Sequence, residues 1–216
     1  MTQRNDRTRI LIADDHTLVA EGCVKLLEPE FDVLATVRDG LALRDAAEQM
    51  KPDVIIADIS MPLMNGLDAC EQIKRSLKTV KIIYLTMKED KDLAADAFRR
   101  GASGYLLKSS AAAELLAAVR AVIKNKSYVS PLITRDLVGL VIQSERKTPG
   151  RETLTDRQKQ VVQLLAEGRS MKEVASVLNI TTRTVGFHKY GIMAVLGLKS
   201  NAELVQYAIR KHLIFQ

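Results

Sequence analysis

Over roughly the first 126 residues, short apolar runs alternate with longer amphipathic stretches. Arg9 to Ala13, Phe31 to Val37, Val54 to Ala57, Lys81 to Thr86 and Ser103 to Leu107 are each short, rich in Ile, Val, Leu or aromatic residues, and bounded by polar or turn residues. That pattern predicts five β-strands. The gaps between and after them carry apolar residues at helical spacing: Thr17 to Leu27, Leu41 to Met50, Leu67 to Arg75, Asp90 to Arg100 and Ala111 to Lys124. Five strands alternating with five helices predict an α/β domain, a doubly wound parallel sheet of five strands covered on both faces.

The pattern weakens from Ser127 to Thr153, where Leu132 to Ile142 could form a short helix and "QSERKTPGRET" has the charge, Pro149 and Gly150 of a surface linker. The tail predicts a small all-α domain. Thr155 with Gln158, Ser170 with Glu173 and Ser200 with Glu203 each match the capping box, in which a hydroxyl and a side chain three residues on satisfy exposed amides. Gly168 suits a helix C-terminus, "EGRS" links to a helix from Met171 to Leu178, and "NITTRTVGFHKYGIM" follows as the second helix of a helix-turn-helix. The expected organisation is therefore a first domain at 1–126, a linker at 127–152 and a helical domain at 153–216.

Composition narrows the function classes. With 47% apolar and 27% charged residues and no run near the roughly 18 apolar residues of a membrane span, the chain reads as a globular cytoplasmic protein. The N-terminus offers only the short apolar run Ile10 to Ala13 behind Arg7 and Arg9, which is no secretory signal. Cys23 and Cys70 lack metal-ligand spacing and read as small core hydrophobes. The net charge of +6 is uneven: residues 1–130 hold 19 Lys plus Arg and 19 Asp plus Glu, whereas residues 150–216 hold 10 and 5. A basic excess confined to the helical tail points to a polyanion-binding module, against the alternative of a merely solvated basic surface.

The candidate chemistry sits at the strand ends. In an open α/β sheet, function gathers beyond the carboxyl ends of the strands. The first strand runs into Asp14 and Asp15, the third into Asp58, the fourth into Thr86 and the fifth into Lys108. Singly, these would be helix caps, a strand end or a solvated charge. Together they form three carboxylates, a hydroxyl and an ammonium on one rim. Clustered carboxylates repel one another unless a cation joins them, and an all-oxygen set best matches Mg²⁺. A phosphate donor would then find Lys108 as a point charge, Thr86 as a hydrogen-bond donor and Asp58 as a nucleophile.

The segments "LIADDH", "DVIIADISMPLMNG", "YLTM" and "GASGYLLK" resemble the receiver domain of two-component response regulators over about residues 7–126. The resemblance implies that the fold is flavodoxin-like, that Asp58 accepts a phosphoryl group from a sensor histidine kinase, that Asp14 and Asp15 are the acidic pair, and that Asp15, Asp58 and the Ser60 carbonyl hold Mg²⁺. It also implies that Thr86 and Lys108 respond to the phosphoryl group and that Tyr105 is the aromatic whose orientation follows it. From the residues alone, Tyr105 in a short strand reads as core.

"LTDRQKQVVQLLAEGRSMKEVASVLNITTRTVGFHKYGIMAVLGLKS" resembles the LuxR-type output domain of the NarL/FixJ branch over about residues 150–212, with the helix-turn-helix at Lys172 to Leu196. On a 3.6-residue period Val185, Ile192 and Leu196 share a core face, leaving Thr182, Arg183, Gly186, Phe187, Lys189 and Tyr190 for double-stranded DNA. Arg183, His188 and Lys189 suit phosphate contacts. Gly186 and Gly191 depart from the long polar or basic side chains usual in the family, and each costs a helix about 1 kcal/mol relative to Ala. Three consequences stay open: a frayed helix, close backbone approach to DNA, or weakened DNA binding.

The resemblance implies a regulator that binds DNA as a homodimer when phosphorylated and that is not a turnover enzyme. One rival is an aspartyl-phosphate phosphatase resembling the haloacid dehalogenase group, which places its nucleophile after the first strand with a second Asp two residues on. Adjacent Asp14 and Asp15 break that spacing. The other rival is an output domain that acts through protein contact.

Overall fold

The computed structural model describes residues 7–134 and 154–214, and the chain divides into two compact units, Met1–Lys147 and Thr148–Gln216. In the first unit, β1 (Arg9–Ala13), β2 (Asp32–Val37), β3 (Val54–Asp58), β4 (Lys81–Thr86) and β5 (Gly104–Leu107) alternate with α1 (Thr17–Leu27), α2 (Gly40–Met50), α3 (Gly66–Ser76), α4 (Lys91–Arg99) and α5 (Ala111–Ile123). All five expected strands are present. A sixth, β6 (Tyr128–Val129), pairs in parallel with β5, so the sheet has six strands in the order β2-β1-β3-β4-β5-β6. Two residues paired on one side only carry too little apolar pattern to announce a strand.

Every residue of β3 is buried, as a central parallel strand with helices on both faces requires. Alternate residues point to opposite faces. Ile10, Ile12, Val54, Ile56, Ile83, Leu85 and Leu106 pack with Cys23 and Leu27 of α1 and with Leu115, Ala118, Val119 and Val122 of α5. Cys23 and Cys70 are free and buried, and burial is the main cause that pushes their thiols up to about 11 and about 12.

Chain order and strand order reverse relative to each other at β1, which lies between β2 and β3. The crevice beyond the carboxyl ends of β1 and β3 is thus the topological switch point of the sheet. Register then aligns the rim. Ala13 pairs with Ala57, so Asp14 and Asp58 follow side by side; Thr86 pairs with Leu107, so Lys108 stands one residue beyond.

The segment after β6 stays on this unit. Ser130 is fully buried: its amide donates to the Tyr105 carbonyl at 3.0 Å, its hydroxyl donates to Glu114 Oε2 at 2.6 Å and accepts from the Leu107 amide at 3.3 Å. Residues 131–134 are helical and Ile133 is buried. The rest of the helix expected at Leu132 to Ile142, and most of the expected linker, lies outside the described residues.

The second unit contains α6 (Asp156–Ala166), α7 (Met171–Val177), α8 (Thr182–Leu196) and α9 (Asn201–Arg210). Thr155 with Gln158 and Ser170 with Glu173 form complete capping boxes. The third is half a box: Ser200 accepts from the Glu203 amide, but the Glu203 carboxylate takes the Lys199 amide, one residue further back, at 2.8 Å. Gly168 turns the chain between α6 and α7 at φ +87°, and Gly197 ends α8 at φ +67°. Val162 of α6, Ile192 of α8 and Leu204, Tyr207 and Ala208 of α9 form the core with Leu213. Val185 is also fully buried and Leu196 half-buried, as their shared helix face predicts.

Candidate functional site

Asp14 and Asp58 are 1% and 2% exposed, and both carboxylates meet one cation. Lys108 Nζ lies 2.9 Å from Asp14 Oδ1 and 2.8 Å from Asp58 Oδ2. These groups are 94 and 50 residues apart in the chain and meet only because parallel strands end on the same rim. Asp58 Oδ1 accepts the Ser60 amide at 3.1 Å. The return of the loop after β3 is tight: the Gly66 amide donates to the Ile59 carbonyl at 2.9 Å, and a Cβ on Gly66 would sit 2.1 Å from the Asp58 carbonyl oxygen. Only glycine lets α3 begin against the backbone of Asp58. Asn65 fixes that start, its side chain accepting the Asp68 amide at 2.8 Å.

Two buried acids share one ammonium, and the electrostatics follow. Burial raises the Asp58 pKa above its ordinary value of 3.8; the Lys108 hydrogen bond and charge oppose the shift without cancelling it. For Lys108, burial acts against the charge, but hydrogen bonds and charges from Asp58 and Asp14 outweigh it and raise its pKa. The site is therefore short of positive charge. Lys108 Nζ also lies 2.9 Å from Asp14 Oδ2, so one ammonium faces both oxygens of that carboxylate, and Asp14, Asp15, His16 and Asp58 each bring a donor atom to within 4.8 Å of the others. Three carboxylates gathered around a single ammonium fit a hard divalent cation.

His16 is the member that the sequence pattern passed over. Its Nδ1 lies 2.9 Å from Asp15 Oδ1, 3.2 Å from Asp14 Oδ1 and 3.3 Å from Lys108 Nζ. The only signal was its place directly after the two acids.

Thr86 is buried at the end of β4, where its hydroxyl oxygen accepts the Lys88 amide at 3.1 Å. Tyr105 is fully buried in β5, in agreement with a core reading, and its hydroxyl makes no hydrogen bond of good geometry although Thr86 is close by. Burial pushes the phenol pKa up, with Thr86 in partial opposition.

In the second unit, α8 runs unbroken through Gly186 and Gly191. Thr181 caps it by accepting the Thr184 amide at 3.1 Å. Thr182, Arg183, Phe187 and Tyr190 are exposed, while Gly186, His188 and Lys189 are half-buried. Lys189 Nζ lies 5.5 Å from the centre of the Tyr190 ring, and Phe187 meets His188 edge-on.

Residues 10–120 match the response regulator receiver domain, and residues 152–208 match the bacterial regulatory proteins of the luxR family. The oxygen regulatory protein NreC of Staphylococcus aureus is 37% identical, with 95% of this chain and 99% of NreC covered. Among solved structures, RcsB from Salmonella enterica serovar Typhimurium, bound to promoter P1flhDC in the presence of phosphomimetic BeF3−, is 28% identical. It has a TM-score of 0.60 and covers 94% of this chain and 98% of RcsB. A LuxR-family two-component response regulator from Aurantimonas is 31% identical at TM-score 0.60 over 63% of this chain and 99% of its own. With acids and lysine gathered at the sheet's switch point, a helix-turn-helix behind them and both family patterns matched in order, the chain belongs to the NarL-type response regulators, DNA-binding transcription regulators that join a receiver to a LuxR-type domain.

Proposed function

We propose that Asp58 is the phosphoacceptor and that a sensor histidine kinase is the donor. The observation that carries this reading is the meeting of Asp14, Asp58 and Lys108 within 2.9 Å contacts at the carboxyl rim. An Asp58 carboxylate oxygen attacks the phosphorus of the donor's phosphohistidine; a P–O bond forms, the P–N bond breaks, and the imidazole leaves with the bonding pair. Asp14, Asp15 and Asp58, with the Ser60 carbonyl, would hold Mg²⁺, whose charge offsets that of the phosphoryl oxygens when it is bound.

Lys108 moves its hydrogen bond from the Asp58 carboxylate to a phosphoryl oxygen. Thr86 already accepts the Lys88 amide, so its own hydroxyl proton is available to a second phosphoryl oxygen. The phosphoryl group stays on the chain's own aspartate, which makes this a switch rather than turnover catalysis. Recruitment of Thr86 alters the surroundings of the Tyr105 hydroxyl, and the shifted face releases or dimerises the output domain. A two-fold dimer would read an inverted repeat with Thr182, Arg183, Gly186, Phe187, His188, Lys189 and Tyr190 toward the DNA. The reading places the protein in the cytoplasm, with kinase and chromosome.

The test is incubation of the intact chain with acetyl phosphate and Mg²⁺, followed by mass spectrometry and duplex binding. The chain should gain one phosphoryl group and bind DNA more tightly; Asp58→Asn should do neither. An unmodified wild-type chain, or a phosphorylated Asp58→Asn chain, overturns the assignment.

A further inference from the structure

We propose that α8 reads DNA through an apolar ridge, with Phe187 and Tyr190 recognising the C5-methyl of thymine, and that Gly186 and Gly191 clear room for close seating in the major groove. This rests on the DNA-binding role of the helix and names the chemistry it selects.

The inventory of side chains comes first. The helix "TRTVGFHKYGIMAVL" contains no Asn, Gln, Asp or Glu, the residues that pair with adenine or cytosine edges. Arg183 and Lys189 remain for a guanine or a phosphate, and Thr182 for a single hydrogen bond or, through its methyl, a thymine. A·T pairs can then be read in the major groove chiefly through the thymine methyl, which takes an apolar partner.

The surface geometry agrees. Arg183, Phe187, Tyr190 and Ala194 are all exposed and fall on one helical stripe, with Phe187 79% and Tyr190 62% exposed. These two aromatic side chains in the middle of a recognition helix stand largely in water and take no part in the core of their unit; Phe187 touches only its neighbour His188 edge-on among the described rings. Lys189 Nζ lies over the Tyr190 ring, 5.5 Å from its centre, so a positive charge accompanies the aromatic ridge and can meet a phosphate beside the bases.

The glycines supply the second observation. Neither has a positive φ, so neither is required by backbone conformation. A Cβ on Gly186 would meet only Tyr190 Cε2, at 3.9 Å, and one on Gly191 would meet nothing within 4 Å. The protein's own packing therefore explains neither. On the helix they flank the ridge on its two sides, Gly186 beside Tyr190 and Gly191 beside Phe187. Bare backbone at those positions lets the groove walls approach while the rings reach the base edges.

The test uses the full chain, phosphorylated with acetyl phosphate and Mg²⁺, to select from a pool of random duplexes. The enriched duplex is then remade with deoxyuridine in place of each thymine, which removes the methyl and keeps every hydrogen bond. Each contacted methyl should be worth about fourfold in affinity, the value of burying one such group. Phe187→Ala should bind the thymine duplex roughly tenfold more weakly and lose the preference at the thymines it reads, and the Phe187→Ala, Tyr190→Ala double variant should no longer distinguish the thymine from the uracil duplex. Gly186→Ala should move two readouts in opposite directions: the output domain melts about 4 °C higher through better helix propensity, and DNA affinity falls several-fold. A purely structural role would not produce that opposition.

Indifference of the enriched duplex to every thymine-to-uracil change, a Phe187→Ala, Tyr190→Ala chain that keeps the preference, or a Gly186→Ala chain with undiminished affinity overturns the inference while leaving DNA binding intact. If no duplex is enriched at all, the DNA-reading role falls as well.

Discussion

The two units solve opposite problems in placing functional groups. In the receiver, Asp14, Asp58 and Lys108 come from three separate strand ends and meet in near-complete burial. In the output domain, Thr182 to Tyr190 lie on one continuous helix and several of them face water. Burial gives the receiver strong electrostatics, since charges removed from water interact through a low dielectric, but it makes the site dependent on the whole sheet. Exposure leaves the helix weakly coupled to the fold, so its surface chemistry can change without loss of structure. The lesson is that a switch needs a site the fold can feel, while a reader needs a site the fold merely presents.

The largest expected effect breaks the receiver's side of this contrast. Lys108→Ala leaves two buried carboxylates facing each other and should cost roughly 3–5 kcal/mol in chemical denaturation. Added Mg²⁺ should restore more stability to this variant than to the wild type, because it supplies the missing charge. A loss below about 1 kcal/mol without metal would mean that the pair is solvated and the contrast is wrong.

The next effect sharpens the contrast from the other side. Ile192 is fully buried in the output core although it lies on the same helix as the exposed ridge. Ile192→Ala should cost about 3 kcal/mol through the cavity it leaves, and should lower the melting of the output domain alone. Unchanged phosphorylation of Asp58 in this variant is the accompanying readout. Loss of phosphorylation would show that the receiver depends on the output core.

The smallest effect is a pH dependence confined to the receiver. Because burial raises the folded pKa of Asp58 above 3.8, the unfolded chain ionises first as pH rises, and ionisation weakens the fold. The penalty is absent below 3.8, grows as pH rises through that value and is complete above the folded pKa. Asp58→Asn should therefore melt higher than the wild type at neutral pH without metal, and the gain should fade as pH falls below 3.8. A gain of equal size at both pH values would assign the effect to packing instead of charge.

Much of this was legible along the chain, and particular residues show where legibility ended. The burial of Val54 to Asp58 follows from an uninterrupted apolar run ending on an acid, and Thr155 and Ser170 announced their caps by spacing alone. β6 went unseen because Tyr128 and Val129 gain their strand character from β5 rather than from any pattern of their own. Glu203 followed the spacing of a capping box yet chose the Lys199 amide, a difference of one residue that only the path of the chain before α9 decides. His16 and Ser130 gave little warning: His16 joins the acidic cluster through its neighbours Asp14 and Asp15 and through distant Lys108, and Ser130 is buried behind β5 with its hydroxyl on partners at least sixteen residues away.

By itself, the amino-acid order determined the elements other than β6, the two-part organisation of an α/β sheet and a helix-turn-helix, and the residues at each strand tip. Those follow from local periodicity and from turn and capping chemistry, which act over a few residues. Tertiary structure alone decided that Lys108 is shared by Asp14 and Asp58 and that Gly66 must be bare against the Asp58 carbonyl. The reason is physical: a pKa or a clash depends on what stands within a few ångströms in space, and strand order and register, not sequence distance, set those neighbours.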